Sequence, residues 1–207
     1  MAKMIPHKTY NTGSEGEDRV FESLQALLPS SYTVFHSLRW IGSERRRSQG
    51  EADFVVFHPN KGIMVIEVKA GIITLENDRI WYQTNRKTGI KKPMFDPEKQ
   101  ADESKFKIIN ALKGMNCMVC HTVWFPSVQY KNKTLPLNYH PDMLFDVNSL
   151  DTPEKDIDKA YNFWRNQLSR TTQLNKPQAK RVIEKFAPSF SLVPSISRDF
   201  KSNEEKF

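Results

Sequence analysis

Two carboxylates and one amine interrupt the two apolar runs within residues 50–71, GEADFVVFHPNKGIMVIEVKAG. Asp53 stands near the start of one apolar run, residues 52–57. Glu67 and Lys69 stand near the end of another, residues 63–69. Both runs are apolar at successive positions, which predicts strands covered on both faces. Pro59, Asn60 and Gly62 between them favour a reversal of direction. If Phe57 pairs with Ile63 across the five-residue loop HPNKG, Val55 faces Val65 and Asp53 faces Glu67. Lys69 then shares their face, because side chains alternate along a strand. A slip of one residue would send Asp53 to the opposite face.

Directly opposed like charges repel, and a buried carboxylate pair requires a shared proton, a cation partner or a metal ion. Lys69 can neutralise one carboxylate; a hard divalent cation bound through oxygen accounts for the second. The plainer alternative is a buried salt bridge between Lys69 and one acid. Such bridges give little net stability and leave the third charge unexplained. Two acids around a divalent ion, with an amine beside them, can activate a bound water and offset negative charge. Magnesium fits, since it takes few carboxylates and keeps waters and substrate phosphate as its other ligands; manganese is the substitute.

Several elements must position this trio. Residues 14–28 carry Val20, Phe21, Leu24, Leu27 and Leu28 at helical spacing and stop at Pro29. Ser14 and Glu17 fit the N-cap and N3 positions of a capping box, which is one reading of Glu17. Residues 32–38 read as a strand. Glu51, two residues before Asp53, points to the same face, either toward a metal or toward a basic residue. Residues 72–75 and 79–84 read as a hairpin around Glu76-Asn77-Asp78. Trp81 and Tyr82 within it suit a core, or stacking on a base. A polar, lysine-rich loop is predicted at 85–97. A helix follows over 98–112 with Ala101, Phe106, Ile109 and Leu112 inward and Gln100 in its first turn. Residues 118–125 predict another core strand, 143–147 a short edge strand, and 152–168 and 176–187 two further helices. Cys117 and Cys120 lack a second pair for a four-ligand zinc site and read as small strand hydrophobes, and His121 alone makes no ligand set.

The order of helix, strand, hairpin, helix and strand predicts an α/β fold, three-layer α/β/α with a central mixed sheet. The 207 residues suit one sizeable domain over 14–187, with a flexible N-terminus at 1–13 and a linker-like tail at 188–207. No apolar run approaches the roughly 20 residues needed to cross a bilayer, and the N-terminus has no apolar secretory core, so cytoplasm is the default. Lys and Arg number 31 against 24 Asp and Glu, a net charge of +7 that favours a polyanionic partner. Arg45, Arg46 and Arg47 lie just ahead of the hairpin, either as a solvated loop or as a grip on phosphates beside the site. The chain has no GxxxxGK[ST] loop and so no motor of its own.

The spacing Asp53…Glu67-Val68-Lys69 resembles the D…(D/E)xK pattern of the PD-(D/E)xK nuclease superfamily. Gly16-Glu17 on an early helix, GEADFVV, the Pro-Asn-Lys-Gly turn and IMVIEVKAG together resemble the NERD (nuclease-related) domain, over roughly residues 13–126. The resemblance implies a restriction-endonuclease-like core and a metal-dependent nuclease acting on nucleic acid, with DNA the first choice and a helicase as partner in cis or trans. It implies that Glu17 and the backbone carbonyl of Val68 join Asp53 and Glu67 at a Mg²⁺ or Mn²⁺ ion. It also implies that Gln100 faces the site beside Lys69. The competing expectation is a nucleic-acid-binding accessory module whose site does not turn over.

Overall fold

The computed structural model describes residues 1–9, 14–41, 49–130 and 133–191. The two apolar runs form β3 (Gln49–His58) and β4 (Gly62–Val68), adjacent antiparallel strands in the middle of a six-stranded sheet. Phe57 pairs with Ile63 and Val55 with Val65, the expected register; pairing runs one step further, to His58 and Gly62, so the loop shortens to residues 59–61. On one side β3 pairs antiparallel with β2 (Thr33–Ile41), and β2 parallel with β1 (Lys3–Ile5). On the other side β4 pairs parallel with β8 (Val119–Trp124), and β8 parallel with β9 (Leu144–Phe145). The sheet is therefore mixed, in the order β1-β2-β3-β4-β8-β9.

Alternation along β3 and β4 separates two cores. Phe54, Val56, Met64 and Ile66 pack against α1 (Glu15–Leu27) and α3 (Pro153–Leu168) through Val20, Phe21, Leu24, Ile157 and Tyr161. Val55, Phe57, Ile63 and Val65 pack against α2 (Pro97–Ala111) and α4 (Lys176–Phe186) through Ile108, Ala179 and Val182. Helices on both faces explain why the runs are apolar at every position, and they make the three-layer α/β/α core.

The helix boundaries follow local chemistry. Ser14 caps α1 by accepting from the Glu17 N–H at 3.4 Å. Asp96 caps α2 by accepting from the Glu98 N–H, with Pro97 in the first turn. The Tyr161 hydroxyl lies 3.0 Å from the Val56 carbonyl oxygen and 3.2 Å from that of Gly62, tying α3 to the hairpin.

Three details differ from the sequence expectations. Residues 3–5, inside the stretch expected to be flexible, form β1, because Ala2 and Met4 reach the core beneath α1. The inward stripe of α2 is Ala101, Ser104, Ile108 and Leu112, while Phe106 and Ile109 are 53% and 39% exposed. The serine sits where the pattern looked for a hydrophobe, which shifts the apparent phase of the helix. The lysine-rich loop contains β7 (Lys91–Met94), which joins β5 (Ile72–Leu75) and β6 (Trp81–Thr84) in a separate three-stranded antiparallel sheet. Little of that sheet is buried, so it shows no alternation to read. Cys117 and Cys120 are free and buried, as small hydrophobes. Most of the tail at 188–207 lies outside the described residues.

Gly62 closes the hairpin at φ +107°, and a Cβ there would stand 2.3 Å from the Met118 carbonyl oxygen. Both the strained conformation and the clash predict that Gly62→Ala lowers unfolding free energy by about 2 kcal/mol or more. Urea unfolding followed by circular dichroism measures it, and a loss near zero would contradict this account of the turn.

Candidate active site

The β3–β4 ladder ends at the pair Phe54 and Ile66. One step beyond, a side chain replaces the backbone partner: Asp53 Oδ2 accepts from the Val68 N–H at 2.7 Å. This bond fixes Asp53 beside Glu67 at the strand end. Glu67 is completely buried; its Oε1 accepts from Lys69 Nζ, and among the described residues its buried Oε2 has no hydrogen-bond partner. The Lys69 N–H donates to the Trp124 carbonyl at 3.0 Å, so β8 holds the ExK segment from its other side.

Electrostatics at this point are unbalanced. Burial pushes the Asp53 carboxyl up to about 6; Lys69 and the Val68 N–H pull it back, while the charges of Glu17 and Glu51 add to the rise. Burial and then the Asp53 charge push Glu67 up to about 8, against the opposing pull of Lys69. For Lys69, burial alone would lower the pKa, but the carboxylates of Glu67 and Asp53 outweigh it and hold the amine above its ordinary value. One amine thus serves two acids, Glu67 buried and Asp53 half-buried, and near neutral pH a proton makes up the difference. A divalent cation would replace that proton, and the orphaned Glu67 Oε2 offers it a ligand atom. The donor set, all oxygen and mainly carboxylate, suits Mg²⁺ or Mn²⁺.

Glu17 arrives from the first turn of α1. Gly16 makes this possible: a Cβ there would sit 2.5 Å from Ala70 Cβ and 3.2 Å from Pro126 Cγ. The helix start therefore rests directly on the residue after Lys69, and the Glu17 charge raises the pKa of both Asp53 and Glu67. Glu17 Oε2 also lies 3.6 Å from Nε2 of His36, a buried residue stacked on Phe54 with ring centroids 4.7 Å apart. His36 was not legible as a neighbour of the site; its only sequence signal is a polar residue inside the predicted strand at 32–38.

Other expected residues fare differently. Glu51 pairs with Arg39 Nε at 3.0 Å near solvent, so it holds a basic residue. Gln100 lies half-buried in the first turn of α2, and among the described residues its side chain makes no hydrogen bond to Lys69 or to either acid. Arg45, Arg46 and Arg47 lie outside the described residues.

Sequence reading missed a second group, Glu98, Asp102 and His121, whose ligand atoms lie within 4.8 Å of one another. His121 Nε2 is 3.1 Å from Glu98 Oε1, and Nδ1 is 3.7 Å from Asp102 Oδ1. Lys105 Nζ already sits 2.5 Å from that same Asp102 oxygen, and Asn138 donates to the other Glu98 oxygen. The imidazole and Lys105 therefore supply positive or donor partners to both acids. The i, i+4 spacing of Glu98 and Asp102 was the available signal; the approach of His121 from β8 is tertiary.

Raised carboxyl pKa values carry a stability consequence. Between an unfolded value near 4 and folded values near 6 and 8, the native state binds more protons than the unfolded chain. This contribution to stability is therefore present at low pH and lost as pH rises through 6 to 8. In EDTA, Glu67→Gln should match or exceed the unaltered protein at pH 8, by up to roughly 6 °C in Tm, with a flatter dependence on pH. A Tm for the variant far below the unaltered protein's at pH 8 would contradict the assignment.

Among the described residues no helix is long and apolar enough to cross a membrane. Searches of curated proteins and of solved structures gave no significant match. A family model described as the nuclease-related domain matches residues 12–126, more than half of the chain. That span contains α1 with Gly16 and Glu17, the β3–β4 hairpin with Asp53 and Glu67, and β8 with the carbonyl that holds Lys69. The chain belongs to the nuclease-related domain (NERD) family.

Proposed function

We propose that the chain is a divalent-metal-dependent nuclease that hydrolyses phosphodiester bonds in DNA. The observation that supports this most is the buried, unpartnered Glu67 Oε2 beside Asp53, with one amine serving both acids. Asp53 and Glu67 would hold Mg²⁺ or Mn²⁺, with the Val68 carbonyl and Glu17 as further ligands. When bound, such an ion lowers the pKa of a coordinated water and withdraws charge from a phosphoryl oxygen.

The chain's own residues supply the rest. The Val68 N–H keeps Asp53 oriented, and burial of Glu67 keeps bulk water from competing for its free oxygen. Before metal binds, the carboxylate neighbours raise the Lys69 pKa. Its role in the reading is that of a positive charge that orients the attacking water and offsets charge building on phosphorus. Gln100 is assigned to the edge of the site, in support of the water. Arg45, Arg46 and Arg47, Arg39 and the surplus of +7 draw the phosphate backbone in. The proposed setting is the cytoplasm, with a helicase in cis or trans to open the duplex.

Incubating plasmid and linear DNA with Mg²⁺, Mn²⁺ or EDTA tests the reading. Cutting should require the metal, vanish in Glu67→Ala and fall about 10²-fold or more in Lys69→Ala; unchanged cutting in both variants would overturn it. Binding that resists EDTA, with no cleavage under either metal, would favour the accessory module. Because metal displaces a proton, the rate at limiting Mg²⁺ should rise from pH 6 to pH 8 and flatten as Mg²⁺ saturates. A rate falling over that range would contradict the proton count at Asp53 and Glu67.

A further inference from the structure

In the β4–β8 register Glu67 is level with Val123 and Val68 with Trp124. The next step places Lys69 level with Phe125, and alternation puts the Phe125 ring on the face that carries Val123 and Glu67. The Phe125 backbone thus follows the Trp124 carbonyl that accepts from the N–H of the proposed catalytic lysine. Its ring forms one wall of a cavity of about 630 Å³. Ile73 of β5 and Trp81 of β6 close the cavity from the small sheet, and Tyr130, Leu135 and Tyr139 close it from the segment between β8 and β9. The Trp81 ring centroid lies 6.4 Å from that of Phe125 and 5.4 Å from that of Tyr139. Phosphodiester chemistry at Asp53 and Glu67 uses none of these aromatic groups.

The lining is mainly apolar and aromatic, and among the described residues its one charged side chain is Lys133 and it includes no acid. Arg86 sits at the same edge, its Nη2 donating to the Ser127 carbonyl at 2.6 Å next to the lining residue Val128. Aromatic and apolar walls, with Lys133 in the lining and Arg86 bonded beside it, match a nucleobase and its phosphate. The volume is within the range of small-ligand sites. The small sheet, mostly exposed, packs on the main body through Ile73 and Trp81, which gives it a purpose as the roof of this cavity.

We propose that the cavity receives one unstacked nucleobase next to the scissile phosphate, so that single strands and unpaired ends are the preferred substrates. This rests on the nuclease reading and deepens it. A base within a stacked duplex cannot reach such a pocket without being extruded. Stacking on aromatic walls also accepts every base, which suits a chain with no base-reading element.

Affinity can be measured in a Glu67→Gln background, without cleavage, on a labelled single-stranded oligonucleotide and on a blunt duplex. Trp81→Ala should weaken single-strand binding by roughly 5- to 150-fold and leave duplex binding within about 2-fold, while Trp81→Phe restores most of the loss. Equal losses on both substrates, or no loss on the single strand, would overturn the proposal. A second measurement needs no change at Trp81: single strands carrying abasic residues should bind several-fold more weakly than intact ones, and equal binding would overturn it too. A pocket that passes both tests in a chain that never cuts DNA would leave the binding site standing and remove only the nuclease reading.

Discussion

At one strand end two carboxylates share the charge of a single amine, and both are pushed toward their neutral forms. Glu67 is wholly out of water, Asp53 lies beside it, and Lys69 is already engaged with Glu67 Oε1. In a chain shaped only for stability, apolar residues at these positions would be neutral or better. Most of β3 and β4 is apolar, and apart from His58 at the turn the polar exceptions gather at one end. The unmet need for positive charge is therefore localised, which is what the proposed cation site rests on.

The rest of the fold keeps that imbalance from relaxing. Helices cover both faces of the central strands and enclose Glu67, while the Val68 N–H holds the half-buried Asp53 beside it. The turn at Gly62 sets the register that makes Asp53 and Glu67 neighbours. The Trp124 carbonyl holds Lys69 from the next strand, and the close contact of Gly16 with Ala70 brings Glu17 to the same end. Site residues thus come from α1 and the β3–β4 hairpin, with β8 holding the hairpin's end through a backbone carbonyl. Such precision on rigid elements is what a metal-dependent phosphoryl site requires.

Much of this was legible because burial and charge conflict visibly in residues 50–71. Two apolar runs with a Pro-Asn-Lys-Gly turn admit few registers, and the one that opposes Asp53 to Glu67 is the one the hairpin adopts. Features that depend on less burial were harder to read. Ser104 occupies a buried position of α2, so apolar spacing pointed to Phe106 and Ile109, which face solvent. β7 belongs to a small exposed sheet and carries no alternation. His36 near Glu17, and His121 between Glu98 and Asp102, come from residues far apart in the chain, and neither histidine has a neighbour in sequence that announces its partner. The cavity beneath Trp81 is of the same kind, assembled from the small sheet and the segment after β8.

The central claim is that Asp53 and Glu67 share a divalent cation. Anomalous diffraction from crystals soaked in Mn²⁺ locates such an ion directly. The account predicts a peak at inner-sphere distance from Asp53 and from the free oxygen of Glu67, absent in Glu67→Gln crystals treated alike. A map with no peak there, or with manganese held only by Glu98, Asp102 and His121, would contradict it.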